Sequence, residues 1–248
     1  MSKIIAHILT PIYFLVFGLL LLVFHPIQWL CLKIGGYGPH KKSVDYLNFG
    51  LTYCLMLLGT RISFTNDVKL PRDRPIIFAS NHQSMNDIPP LIWFLRKHHP
   101  KFIAKKSLGQ GIPSVSFNLR HGGACLIDRK NPQQATRDIV EFAKRCENKN
   151  WSAVIFPEGT RSRDGNPKPF ARTGLKMLMT HMPSAVVVPV SIQNSWKLLK
   201  YGKYPYGVGA HMKFRTHAPI EMEGKDPDDL VLQVQEVVHA TVNQGNAS

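Results

Sequence analysis

Two short blocks of this sequence hold residue types that could do chemistry, and the first is Asn81-His82-Gln83-Ser84-Met85-Asn86-Asp87. A histidine and a carboxylate five positions apart would not face each other on a continuous helix. Pro89 and Pro90 change that: proline is accommodated only in the first turn of a helix, so a helix must begin near Asp87 or Ile88, with His82 in the loop before it. From the helix start the Asp87 carboxylate can turn back to accept a hydrogen bond from one imidazole nitrogen, which leaves the other unprotonated and available as a base. The arrangement is that of a Ser-His-Asp triad whose serine is replaced by a substrate hydroxyl. Taken singly, each residue has a plainer reading, Asp87 as a helix N-cap and His82 as a structural loop histidine.

The second block, Phe156-Pro157-Glu158-Gly159-Thr160-Arg161-Ser162, offers a carboxylate, a flexible glycine, a hydroxyl and a guanidinium in close order. Arginine presents planar, paired donors that suit phosphate, which makes Arg161 a candidate anion clamp. Standing alone, the block would read as a tight turn with an exposed ion pair. Ser84 and Cys125 are the candidate nucleophiles for a hydrolase, and neither lies in a Gly-x-Ser-x-Gly elbow. His98, His99, His121 and His181 lack His-Glu-x-x-His spacing, so no metal is expected.

Together the two blocks resemble the glycerolipid acyltransferase family, most closely its 1-acylglycerol-3-phosphate (lysophosphatidate) acyltransferases. The stretch 101–108 with Gly123-Ala-Cys-Leu-Ile-Asp128-Arg129, and Val188-Pro-Val-Ser-Ile192, also match, so the likeness covers roughly residues 60–195. It implies His82 and Asp87 as the catalytic dyad, with Glu158, Gly159, Thr160 and Arg161 binding the acceptor's glycerol phosphate. It also implies Lys105 and Arg129 as phosphate contacts, an acyl thioester (acyl-CoA or acyl carrier protein) as co-substrate, no cofactor, a lysophospholipid acceptor, and an N-terminal two-helix membrane element. His82 would then take the proton of the sn-2 hydroxyl as it attacks the thioester carbonyl, with backbone N–H groups near the helix start after His82 stabilising the oxyanion. The chain departs from the family at 114–123, where an aromatic-rich stretch is common and Arg120 and His121 stand instead, which points to a different acceptor headgroup or acyl preference.

Elements that position these blocks are legible around them. Short β-branched and aromatic runs at 75–80, 123–127, 152–156 and 185–192 alternate with helical stretches, which predicts an α/β fold with a mostly parallel central sheet flanked by helices. Both blocks and Asp128-Arg129 follow such runs directly, so all three belong at one rim, beyond the carboxyl ends of the strands. The pattern over 132–149 predicts a helix with Asn131 as N-cap, proline at its first position, and Ile139, Phe142, Ala143 and Cys146 on its apolar face.

Residues 4–32 contain no Asp, Glu, Lys or Arg, and 11–24 are apolar almost throughout, long enough to enter or cross a bilayer. Only Lys3 precedes the stretch and no small-residue cleavage site follows, so it is read as a retained anchor rather than a signal peptide. A second apolar segment at 46–58 follows a Gly- and Lys-containing turn at 33–42; it is too short to span and is expected to pair with the first at the interface. The expected division is therefore 1–60, a membrane-associated helical hairpin, and 61–248, the α/β acyltransferase domain.

With 31 Lys and Arg against 16 Asp and Glu, the net charge is +15, which favours polyanionic surfaces. Dispersed basic residues without a nucleic-acid motif, beside a greasy N-terminus, assign that charge to anionic membrane lipid and not to nucleic acid. Lys33, Lys41, Lys42 and Arg61 place the catalytic body on the cytoplasmic face, at the inner membrane if the source is bacterial. The four cysteines, Cys31, Cys54, Cys125 and Cys146, are too scattered for a disulfide framework or a Cys-x-x-Cys site and are read as reduced thiols.

Overall fold

The computed structural model describes residues 2–128 and 130–247; Arg129, expected to contact phosphate, lies outside the described residues. The strands are β1 (Arg61–Asn66), β2 (Ile76–Ser80), β3 (Pro100–Lys105), β4 (Cys125–Ile127), β5 (Ser152–Ile155), β6 (Val186–Gln193) and β7 (His211–Thr216). They form one sheet in the order β1-β7-β6-β2-β5-β3-β4. From β4 across to β6 every pairing is parallel, and β7 joins β6 antiparallel with β1 parallel to it. The carboxyl ends of β2, β3, β4 and β5 therefore share one rim. The mostly parallel α/β sheet expected from the sequence is the fold observed.

Burial explains which strands were legible. β2 and β6 lie at the centre, covered on both faces, and all five residues of β2 are buried, so both read as unbroken apolar runs. β1 and β7 lie toward an exposed edge, where β7 alternates exposed and buried residues and carries His211, Lys213 and Arg215 outward. β3 opens with Pro100 and has lysines near both ends. None of these three shows the apolar run that marks β2, β5 and β6.

The helices are α1 (Ser2–Gly35), α2 (Tyr37–Tyr53), α3 (Ile88–Phe94), α4 (Val115–His121), α5 (Pro132–Lys149), α6 (Arg172–His181) and α7 (Pro227–Ala247). On one face of the sheet, Phe142 and Cys146 of α5, Leu175 of α6 and Val234 of α7 pack with Ile77 and Ala153. α5 begins and ends where its sequence pattern predicts, and the Asn131 side chain accepts a hydrogen bond from the Gln134 N–H at 3.1 Å. α7 continues to Ala247, through a tail whose composition reads as frayed.

α1 and α2 form the expected hairpin, with a sharper turn than expected. Only Gly36 separates the helices, at φ 72 and ψ −156, a region essentially reserved for glycine. α2 then starts at Tyr37 rather than near residue 46, because Pro39 sits in its first turn, where proline is tolerated. Gly35 is required too, since a Cβ there would meet Pro39 Cγ at 2.5 Å.

α1 has two sides. Ile4, Ile8, Leu15 and Leu22 are exposed, whereas Tyr13 is buried with Leu58, Phe78, Leu91, Val154 and Val188. Tyr13, Leu55 and Leu58 thus share one apolar cluster with the α/β body. Among the described residues α1 is the one helix long and apolar enough to cross a membrane.

Replacing Gly36 by alanine forces a side chain into that glycine-only conformation and is expected to destabilise the fold by roughly 1–3 kcal/mol. Thermal unfolding in detergent measures it, and an unchanged midpoint would mean the hairpin turn relaxes freely.

Candidate active site

The loop after β2 is built around one carboxylate oxygen. Asp87 Oδ2 accepts from His82 Nδ1 at 2.8 Å, from the Gln83 N–H at 2.8 Å and from the Ser84 N–H at 2.9 Å. Ser84 completes a capping box, its hydroxyl accepting from the Asn86 N–H at 3.2 Å, over the single 3₁₀ turn that leads into α3. Asp87 is fully buried, so a carboxylate against Nδ1 leaves Nε2 of His82 as the free ring nitrogen. The imidazole also stacks on Phe156, with centroids 4.1 Å apart and planes 20° apart. The pairing of His82 with Asp87 and its place before the helix are as the sequence implies.

The second block is stitched to the first through the backbone of His82. The Ser162 N–H donates to the His82 carbonyl at 2.8 Å, and the His82 N–H donates to Glu158 Oε1 at 3.4 Å. Glu158 is therefore held against the His82 loop, 8% exposed, and its other oxygen, Oε2, is buried without a hydrogen-bond partner. Burial is the main reason its carboxyl is pushed up to about 7, against opposing backbone hydrogen bonds from His82 and Lys168.

A cavity of about 880 Å³ brings His82 together with Lys105, Gly159, Thr160 and Arg161. Lys168, exposed beside the cavity, donates to Thr160 Oγ1 at 2.8 Å and to the Arg161 carbonyl at 3.1 Å. Nothing in its local sequence marked Lys168, which lies several residues beyond the motif. Asn81 and Gln83 were also passed over. The Asn81 amide pairs both ways with the Ile192 backbone, at 2.8 and 2.7 Å, and the Gln83 side chain links Gly165 to Ser195. Such clamps carry no signature until the strands are adjacent.

Of the N–H groups after His82, those of Gln83, Ser84, Asn86 and Asp87 are engaged within the loop. Arg120 donates to the Gly109 carbonyl at 2.7 Å, and His121 packs on Phe117.

The alternative nucleophiles are disarmed. Ser84 is the helix cap, and burial pushes the Cys125 thiol up to about 12. A Ser-His-Asp chain does occur elsewhere, with Ser191 Oγ 2.8 Å from His217 Nε2 and His217 Nδ1 3.3 Å from Asp67 Oδ2. Ser191 is 1% exposed and packs against the Val238 carbonyl of α7, so no substrate reaches it.

From Asn81 to Ser162, the site thus sets a histidine paired with a buried carboxylate in one cavity with Lys105, Thr160 and Arg161. The family model described as Acyltransferase matches residues 61–193, and the chain belongs to that family. A relative from Ovis aries, 1-acyl-sn-glycerol-3-phosphate acyltransferase alpha, is 25% identical over 82% of this chain and 69% of its own length. One from Brassica napus, the chloroplastic 1-acyl-sn-glycerol-3-phosphate acyltransferase BAT2, is 32% identical over 60% of this chain and 41% of its own. The crystal structure of the 1-acyl-sn-glycerophosphate (LPA) acyltransferase PlsC from Thermotoga maritima superposes with a TM-score of 0.80 over 100% of both chains at 24% identity, a likeness of fold.

Glu158 makes stability depend on pH. Its folded form holds a proton up to about 7 while the unfolded chain releases it near 4.5, so stability falls as pH rises between those values and levels off above. The loss is on the order of 3 kcal/mol. Denaturant unfolding between pH 4 and 8 should show this slope in the wild type and lose it in Glu158→Gln.

Proposed function

We propose that the chain transfers a fatty acyl group from an acyl thioester to the sn-2 hydroxyl of 1-acylglycerol-3-phosphate, giving phosphatidate. The observation that carries this reading is the free Nε2 of His82, held by Asp87 and Phe156 in a cavity shared with Lys105, Thr160 and Arg161. A base beside fixed cations suits a hydroxyl attached to a phosphate.

In the proposed reaction Nε2 removes the hydroxyl proton as the oxygen attacks the thioester carbonyl. Asp87 keeps the ring in the required tautomer and stabilises the imidazolium that forms. The tetrahedral intermediate collapses with loss of the thiolate, which takes the proton back from His82, so no acyl-enzyme is required. Arg161, Lys105 and Lys168 neutralise the phosphate and hold the hydroxyl at the base, with Arg129 a further proposed contact. Glu158 acts as a strut that sets the spacing of the two loops. Oxyanion donors are assigned to Thr160 and Arg161 or to the lysines at the rim, since most of the amides after His82 are occupied.

No cofactor enters this scheme; the donor is acyl-CoA or acyl carrier protein. The exposed apolar side of α1 supports membrane association, and the basic residues around the hairpin support a catalytic body on the cytoplasmic face.

His82→Ala is expected to lower kcat by at least about 10²–10⁴-fold while vesicle binding stays intact. Product analysis by mass spectrometry and co-sedimentation with vesicles check both halves, and near-normal turnover would sink the mechanism. Arg161→Ala should raise the KM for the lysolipid far more than that for the thioester. Steady-state kinetics with each substrate varied in turn would expose the assignment as wrong if only the donor KM moved.

A further inference from the structure

The cavity that begins at His82 changes character with depth. Met85, Ile88 and Phe156 line it near the histidine, whereas Gln28, Tyr37, His40 and Lys101 line its far end. Lys101 and Lys105 lie on the same strand, four residues apart, so this polar end is roughly 13 Å below the rim at 3.3 Å per residue.

Its side chains are buried without partners. Gln28 and His40 are 0% exposed, and neither the amide atoms of Gln28, nor the ring nitrogens of His40, nor the Tyr37 hydroxyl has a hydrogen bond. Buried polar groups are ordinarily paired, and leaving one unpaired destabilises the fold. Three unpaired side chains in one cavity wall mark a place kept polar for an occupant. An unsubstituted hydrocarbon would leave all of them unsatisfied.

The donors and acceptors of the pocket select among polar groups. Lys101 Nζ lies over the rings of Trp151 and Tyr37, at 4.6 and 5.1 Å, and Asp45, paired with Lys41 at 2.5 Å, lies among its charged neighbours. Lys41, a stronger electrostatic neighbour of Lys101 than Asp45, takes up that carboxylate, and the two ring faces hold Lys101 in place. Burial, with the neighbouring His121 and Lys101, keeps His40 neutral, one ring nitrogen donating and the other accepting. Gln28 and Tyr37 likewise each offer a donor and an acceptor. A hydroxyl, which donates and accepts at once, matches this set.

We propose that the far end of the cavity, formed by Gln28, Tyr37, His40 and Lys101, recognises a hydroxyl carried by an acyl chain at a position well removed from its carbonyl. This rests on the acyl-transfer reading above. The chain is that of the donor thioester or that of the lysolipid, and the hydroxyl chemistry is common to both.

The experiment offers the detergent-solubilised full chain pairs of substrates of equal length, one plain and one hydroxylated, with the hydroxyl moved along the chain. One arm places it on the acyl-CoA and the other on the lysophosphatidate. Products are quantified by mass spectrometry, and binding of the same pairs to the His82→Ala variant is followed by calorimetry. In one arm, a single hydroxyl position should be favoured over the plain chain by at least about tenfold in kcat/KM and in affinity. Gln28→Leu and His40→Phe should each bring that ratio toward one while raising Tm, because each removes an unpaired buried group. Those rises also guard against misfolding as the cause. A preference for plain chains at every position in both arms, or a hydroxyl preference that neither substitution alters, would overturn the proposal and leave the groups as ligands for water. A binding preference without any acyl transfer would uphold the subsite and defeat the reaction assigned above.

Discussion

One oxygen atom organises the centre of this protein. Oδ2 of Asp87 takes hydrogen bonds from the His82 ring and from two successive backbone amides, and it is fully buried while doing so. With three donors converging on it, this oxygen fixes both the path of the loop and the tilt of the imidazole. The proposed base exists because this loop cannot adopt another shape cheaply. Phe156 then closes the opposite side of the ring, so the histidine is set by a carboxylate edge-on and by an aromatic face.

The second motif depends on the first. β2 and β5 are neighbours running the same way, which brings their carboxyl ends together, and the His82 carbonyl and amide are both used to tie down the segment that carries Arg161. The spacing between a base and an anion clamp is thus written in backbone hydrogen bonds and one buried glutamate. Lys168, reaching back to Thr160 and Arg161, adds positive charge to the same rim from outside either motif. Under the proposed reaction, the phosphate end of the acceptor meets a rim whose geometry is inherited from the sheet.

Much of this was legible in the sequence where local chemistry is self-sufficient. Pro89 and Pro90 set the start of α3, Asn131 caps α5, and the unbroken apolar runs of β2 and β6 announce central strands. Legibility failed where an outcome depends on a distant partner. β1 at the edge and β7 beside it turn polar residues outward, and β3 is bracketed by lysines, so none carries an apolar run of its own. The bond from the His82 amide to Glu158 is likewise invisible in sequence, since it depends on the approach of a residue far away along the chain. The turn of the hairpin was placed too broadly because a single glycine in an unusual conformation replaces what composition suggests is a loop.

Tyr13 lies on the inner side of α1, and its hydroxyl donates to Asn86 Oδ1 at 3.1 Å, within the very loop that holds His82. The outer side of the same helix, a few residues along, is apolar and uncovered. The uncovered apolar surface and a wall of the site are therefore two sides of one helix. Under the proposed membrane association, any change in the depth or tilt of that helix would be passed through Tyr13 and Asn86 to the loop that holds the histidine.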